Sequence, residues 1–356
     1  MGVDVKKINI SRASAHILYY SGEFHINQSN RRVAVKNYIL PLLVTATLFC
    51  VCAQGYDPYL ADIRTNPDKA IAGYTDVIRR NPNNSKYYFR RGLAYERKKD
   101  YDLAIADYDE AIRLTPKVAS HYFFTTRLTV APRETLYYFL SRGNMHLTIT
   151  KDYDQAIADY NEAIRLNPTF AEAYNSRGLT YVAKCDYDQA IADCNVAIRL
   201  NPNFEAVYNN RGIAYTGKGD YDQAIVDCNE AIRLNPNFAA AYNSRCAAYN
   251  KKGDYDQAIA DCNEAIGLNP NLAMAYYNRG LVYRGKGDYS QAIVDYNEAI
   301  RLDPNFSEPY NNRGASYMVK KEYDKAIEDF ETALRIDPNN KAAKKNLEAA
   351  KRGSQI

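Results

Sequence analysis

From Tyr174 onward, apolar and small residues return every three or four positions: Tyr174, Gly178 and Tyr181, then, past a polar turn, Ala190, Cys194 and Ala197. That spacing lays them along one stripe of each of two amphipathic helices. The punctuation agrees. In the following stretch the turn reads KGDYDQ, where Gly219 suits the left-handed conformation that ends a helix and Asp220 suits the cap of the next. Gln223, three residues later, completes a capping-box-like pair, while Asp222 and Arg233 complement the dipole at the two helix ends. Asn235-Pro236 stops the second helix, because proline disfavours helical geometry in the residue before it. The predicted unit is helix–turn–helix.

The unit repeats. Gly219–Phe238, GDYDQAIVDCNEAIRLNPNF, returns nearly unchanged at steps of 34 residues, in the stretches ending at Phe204, Leu272 and Phe306. A period of this size signals stacked helix pairs that bury their apolar faces on one another. The register predicts a repeat at 85–118 and six more across 136–340. Residues 54–84 form a degenerate first repeat, since Pro58 and Pro67 break its first half. Residues 341–356 begin with KAAKKNLEAAKR, whose Ala343, Leu347 and Ala350 give the narrow apolar stripe of a capping helix. Residues 119–135, aromatic and β-branched, interrupt the period: a degenerate helix or loop on the convex side, or an insert used for partner contact. The next repeat carries one extra residue between His146 and Asp152.

These residues resemble the tetratricopeptide repeat family. The small first-helix residue is Gly92, Gly143, Gly178, Gly212, Gly280 or Gly314, with Cys246 as the exception. The second-helix alanine runs from Ala70 to Ala326, and the closing proline from Pro82 to Pro338, in eight repeats each. Glycine faces alanine because two backbones nest only where neither carries a large side chain. The resemblance implies an all-α, right-handed α-solenoid of stacked antiparallel helix pairs. It also implies a protein or peptide partner bound on the concave face, which the first helices line in this family. There the motif YNNRG or YNSRG offers Asn175, Asn209, Asn210, Asn243, Asn278, Asn311 and Asn312. An amide is both donor and acceptor, so such a row can pair with an extended peptide backbone of any sequence; capping or inter-helix bonding is the alternative role. The carboxylate clamp of chaperone-binding members needs lysine where this chain has Phe89, Leu140, Asn175, Asn209, Asn243, Tyr277 and Asn311, so capture of an acidic C-terminal tail is rejected.

A second row is structural. Arg177, Arg211 and Arg245 precede Asp193, Asp227 and Asp261 by 16 residues, at the same level of the antiparallel partner helix, which predicts an ion-pair or hydrogen-bond ladder. Recurring tyrosines, such as Tyr174 and Tyr208 or Tyr187 and Tyr221, read as packing between repeats. Cys194, Cys228 and Cys262 recur at a core position, predicted to be too far apart to bond with one another. Cys246 lies across one hairpin from Cys262; a bridge is open to this pair, with buried unpaired thiols preferred.

The chain has 46 basic and 42 acidic residues, so no nucleic-acid footprint stands out, and an RNA-binding helical-repeat protein is the runner-up reading. The four histidines lack metal-ligand spacing, no phosphate-binding or nucleophile-elbow motif occurs, and the acidic residues recur once per repeat, as architecture requires. An enzyme, a cofactor, a metal and a small-molecule substrate are therefore not expected. Within residues 1–53, Arg31, Arg32 and Lys36 precede an apolar run, Tyr38–Cys52, and Ala53 stands before Gln54. This is the order of a secretory signal, predicting an exported or cell-envelope protein. The alternative is an uncleaved anchor formed by residues 38–53, the one case in which a membrane is involved. Translation starting near Val33 or Val35 would remove the long leader.

Overall fold

The computed structural model describes residues 57–115 and 133–354; the signal-like segment and most of the 119–135 insert lie outside the described residues. Among the described residues, seventeen α-helices and one π-helical turn follow one another without a strand. They fall into two compact units that meet in sequence at Arg142 and Gly143.

The first unit holds α1 (Asp62–Thr65), α2 (Pro67–Arg80), α3 (Ser85–Lys98), α4 (Tyr101–Arg113) and most of α5 (Arg133–Met145). Pro67 opens α2, where its missing N–H is no loss, and Asn66 accepts from the Lys69 amide. The first helix of this degenerate repeat shrinks to the single turn α1, and the Tyr59 ring takes its place against Gly73, where a β-carbon would come within 2.5 Å of it. The Asp57 carboxylate accepts from Arg90 Nη1 and, at 3.1 Å, from the Tyr74 hydroxyl.

The second unit runs on as antiparallel pairs: α6 (Tyr153–Leu166), α7 (Ala171–Ala183), α8 (Tyr187–Leu200), α9 (Glu205–Lys218), α10 (Tyr221–Leu234), α11 (Ala239–Lys252), α12 (Tyr255–Leu268), α13 (Ala273–Gly285), α14 (Tyr289–Leu302), α15 (Ser307–Val319), α16 (Tyr323–Ile336) and α17 (Lys341–Gly353). The extra residue before Asp152 is absorbed by a π-helical turn, His146–Thr150, after which Lys151 takes the left-handed conformation. One surplus residue is what a wider helical turn accommodates. Gly219 closes α9 at φ 91°, and Asp220 accepts from the Gln223 amide at 3.2 Å to cap α10. Asn235 is extended ahead of Pro236 and ends α10.

In the repeats that carry Gly178, Gly212, Gly280 and Gly314 the two helices cross at that glycine. A β-carbon on Gly280 would lie 2.6 Å from the Tyr296 ring, and one on Gly314 2.8 Å from Phe330. Tyr160, Cys194, Cys228, Tyr296 and Phe330, which share the opposing position, are all fully buried. In α11 Cys246 replaces the glycine and is disulfide-bonded to Cys262, Cα to Cα 5.5 Å. The sequence expectation of two unpaired thiols is thereby corrected: the tight crossing brings the two side chains within bonding reach, which spacing alone does not reveal. Cys194 and Cys228 remain free and buried.

One core carboxyl is costly. Glu96 on α3 is buried and accepts from the Tyr108 hydroxyl at 2.6 Å; burial pushes its pKa up to about 7, against the pull of Tyr108 and Arg97. Below pH ~4.5 the group is protonated in both folded and unfolded chains and carries no penalty. As pH rises toward 7 the unfolded chain ionises first, and up to about 3 kcal/mol of stability is lost at 1.36 kcal/mol per unit. Glu96→Gln is therefore expected to exceed the wild type in urea resistance at pH 8 and to match it near pH 4. An equal difference at both pH values would show that Glu96 does not titrate in this way.

Candidate functional site

Two polar rows run through the second unit, at different depths. In the first, each arginine of a first helix forks onto the aspartate of its partner helix. Arg211 Nε and Nη2 donate to Asp227 at 2.7 and 2.6 Å, and Nη1 reaches back to Asn195 of the preceding repeat at 2.6 Å. The Tyr208 ring lies 5.6 Å beneath the guanidinium, a cation–π contact. Arg177 repeats the arrangement with Asp193, Asn161 and Tyr174, and Arg245 with Asp261, Asn229 and Tyr242. Arg279 and Arg313 continue it, and in the first unit Arg91 binds Asp107 and Thr75. All three nitrogens of the Arg211 guanidinium thus donate, and one of its faces lies on a tyrosine ring. Burial holds Asp227 above the ordinary carboxylate range despite the lowering pull of Arg211, while the hydrogen bond to Asp193 raises Arg177 against its own burial. The charged pair is formed, but its net contribution is modest, because desolvation offsets much of the attraction.

The second row joins consecutive first helices, linking the sixth residue of one repeat to the fifth of the repeat before. Asn210 Nδ2 donates to Asn175 Oδ1 at 2.9 Å, and Asn278 to Asn243 at 3.0 Å. Asn312 donates to the Tyr277 hydroxyl at 3.0 Å, and Asn346 of α17 to Asn311 at 3.1 Å. Asn175, Asn209, Asn210, Asn243 and Asn278 are buried, whereas Asn311 and Asn312 are half-buried. Asn209 differs from the others: the sixth residue of the next repeat is the shorter Ser244, and neither the donor nor the acceptor of the Asn209 amide is matched within the protein. Bonding between helices thus occupies part of the amide row that the sequence pattern offers to a peptide.

The exposed edge of the unit carries a third pattern, with Lys218 on Asp188 at 2.6 Å and Lys252 on Asp222 at 2.8 Å. Such exposed pairs contribute little to stability. They do neutralise the aspartates that open each second helix.

Sequence profiles described as tetratricopeptide repeat match residues 64–119, 171–204, 206–238, 273–306 and 307–340, and one described as TPR repeat matches 147–185 and 247–287. The chain belongs to the tetratricopeptide repeat family. Among solved structures, a tetratricopeptide repeat protein from Parabacteroides merdae aligns at TM-score 0.60 and 18% identity, over 75% of this chain and 98% of its own. The Cut9–Hcn1 APC/C hetero-tetramer aligns at 0.58 and 19%, over 91% of this chain and 57% of that one. Yeast Tom70 aligns at 0.57 and 18%, over 95% and 67%. At these identities the likeness is one of fold. No curated protein matches the chain.

Against the family pattern, the tetratricopeptide rungs contain residues that the sequence reading passed over. Asn161, Asn195, Asn229, Asn263 and Asn297 each accept an arginine from the next repeat. Their signal was available: an asparagine two residues after the recurring aspartate, in every repeat from 136 to 306. Tyr277 and Asn346 likewise complete the amide row without belonging to the motif that defined it.

Removing one partner of a rung strands the other in a partly buried place. Asp227→Ala is expected to lower unfolding free energy by about 2–4 kcal/mol, below the full buried-pair range because Arg211 keeps some solvent access. Asn195→Ala, which deletes one hydrogen bond, is expected to cost about 1 kcal/mol. Urea titrations at pH 7 measure both; equal and negligible losses would remove the rung from the account of stability.

Proposed function

We propose that this tetratricopeptide array is a non-enzymatic protein-interaction scaffold that holds a protein partner, in extended form, along the concave first-helix face. The observation carrying this reading is the unmatched amide of Asn209 within a row of otherwise paired amides. A buried amide without a partner is a destabilising feature, worth about 1–3 kcal/mol; Asn209 has no exposed surface, so a peptide group's donor and acceptor relieve it only where α9 and α11 part to admit them. The near balance of basic and acidic residues favours a protein over a nucleic acid, whose phosphates demand a net basic surface.

The test separates binding from folding. Asn209→Ala is expected to keep wild-type helicity and to be no less stable in urea, because no bond is lost and an unmatched buried amide is removed. It should nonetheless weaken retention of the partner captured by the immobilised full chain from its native cell. Asn243→Ala, which breaks the bond from Asn278, should cost stability as well. Undiminished capture by Asn209→Ala would sink the reading, as would tight, salt-sensitive binding of mixed RNA in a gel-shift.

We propose further that the protein works in an oxidising, exported location. The order of charges and apolar residues before Gln54 supports this, as does the Cys246–Cys262 bond, since cytosolic reductants keep most thiols reduced. Among the described residues no helix is long and apolar enough to cross a membrane. Protein recovered from its native cell is expected to begin at or near Gln54 on N-terminal sequencing. A mature chain that retains Arg31 would point to an anchor or to a protein that is never exported.

A further inference from the structure

Three repeats of the second unit place a cysteine at the same core position of the second helix, yet only one of those cysteines is bonded. The opposing residue decides. Cys194 and Cys228 face Gly178 and Gly212, and a β-carbon placed on those glycines would lie 3.3 and 3.1 Å from the two sulfurs. The crossing therefore has almost no room for a β-carbon, and none for a further sulfur at van der Waals distance. Cys246 brings both into that space, facing Cys262, and both side chains are fully buried beside Ala258 and Val282. A covalent bond lets two sulfurs occupy a volume that two separate thiols would overfill.

We propose that Cys246–Cys262 is a redox-dependent staple, on whose oxidised state the close helix crossing of repeat 239–272 depends. Reduction by a dithiol would break the S–S bond, place one proton and one electron on each sulfur, and convert the reductant to its own disulfide. The two thiols then need the separation of non-bonded atoms, so α11 and α12 move apart. Arg245 and Asn243 on α11 lie within three residues of Cys246, and their bonds to Asp261 and from Asn278 are drawn into the change. The array is thus interrupted at one defined repeat, while Cys194 and Cys228, whose thiols burial pushes above the ordinary range, stay inert. This proposal is independent of what the array binds.

The experiment compares the full chain before and after reduction in denaturant and refolding with or without a dithiol. Cys246 and Cys262 are expected to resist alkylation in denaturant until reduced, and the reduced protein to melt lower by roughly 5 °C or more. Cys246→Gly restores the arrangement of Gly212 with Cys228; it is expected to melt above the reduced wild type, below the oxidised protein only by the cross-link's constraint on the unfolded chain, and to ignore the reductant. The arrangement is also transferable: Gly212→Cys is expected to form a second bond, to Cys228, under oxidising conditions. Free alkylation of both cysteines without reduction would overturn the proposal. So would equal melting of oxidised and reduced wild type, or a Cys246→Gly variant as weak as the reduced protein.

Discussion

The close crossing of two helix backbones in every repeat is the constraint on which the rest of this molecule depends. A ring or a sulfur on the second helix presses where a β-carbon on the first would stand, as Tyr296 does over Gly280. Close packing of this kind gains dispersion contacts on both sides and excludes water from the alanines around it. It also sets the angle and depth of each hairpin, and so the level at which an arginine on one helix meets an aspartate on the other. Where the glycine is absent, at Cys246, the crossing is kept by a covalent bond instead of by empty space.

The two polar rows divide the work between hairpins. The Arg–Asp fork closes one hairpin and its third nitrogen ties that hairpin to the one before, so each rung serves local and nearest-neighbour cohesion together. Repeat arrays are stabilised mainly by such intrinsic and nearest-neighbour terms. The amide row couples first helices across the repeat boundary, 35 residues apart, although Asn312 also donates to the Glu308 carbonyl of its own helix. Neutral amides desolvate at lower cost than charges, which fits their deeper burial. A single mismatch in that row, Asn209 opposite Ser244, leaves an amide whose hydrogen-bonding capacity is unspent. The proposed scaffold function rests on that asymmetry and not on any catalytic group.

Repetition by itself determined the helices, their ends and the family. Gly219, Asp220 and Pro236 act through backbone geometry that is local to a few residues, so identical sequence yields identical turns in each copy. The pairing of Arg211 with Asp227 was legible for a related reason: two antiparallel helices of known length and turn leave one level at which 16 residues of separation can meet. Only the tertiary structure decided which asparagines pair with each other, that Asn195 serves the next repeat's arginine, and that Cys246 reaches Cys262. These depend on how far one helix slides and rotates against another in close packing. No property of a single helix records that displacement, because it is set by the summed shape of two surfaces and exists only once they are in contact.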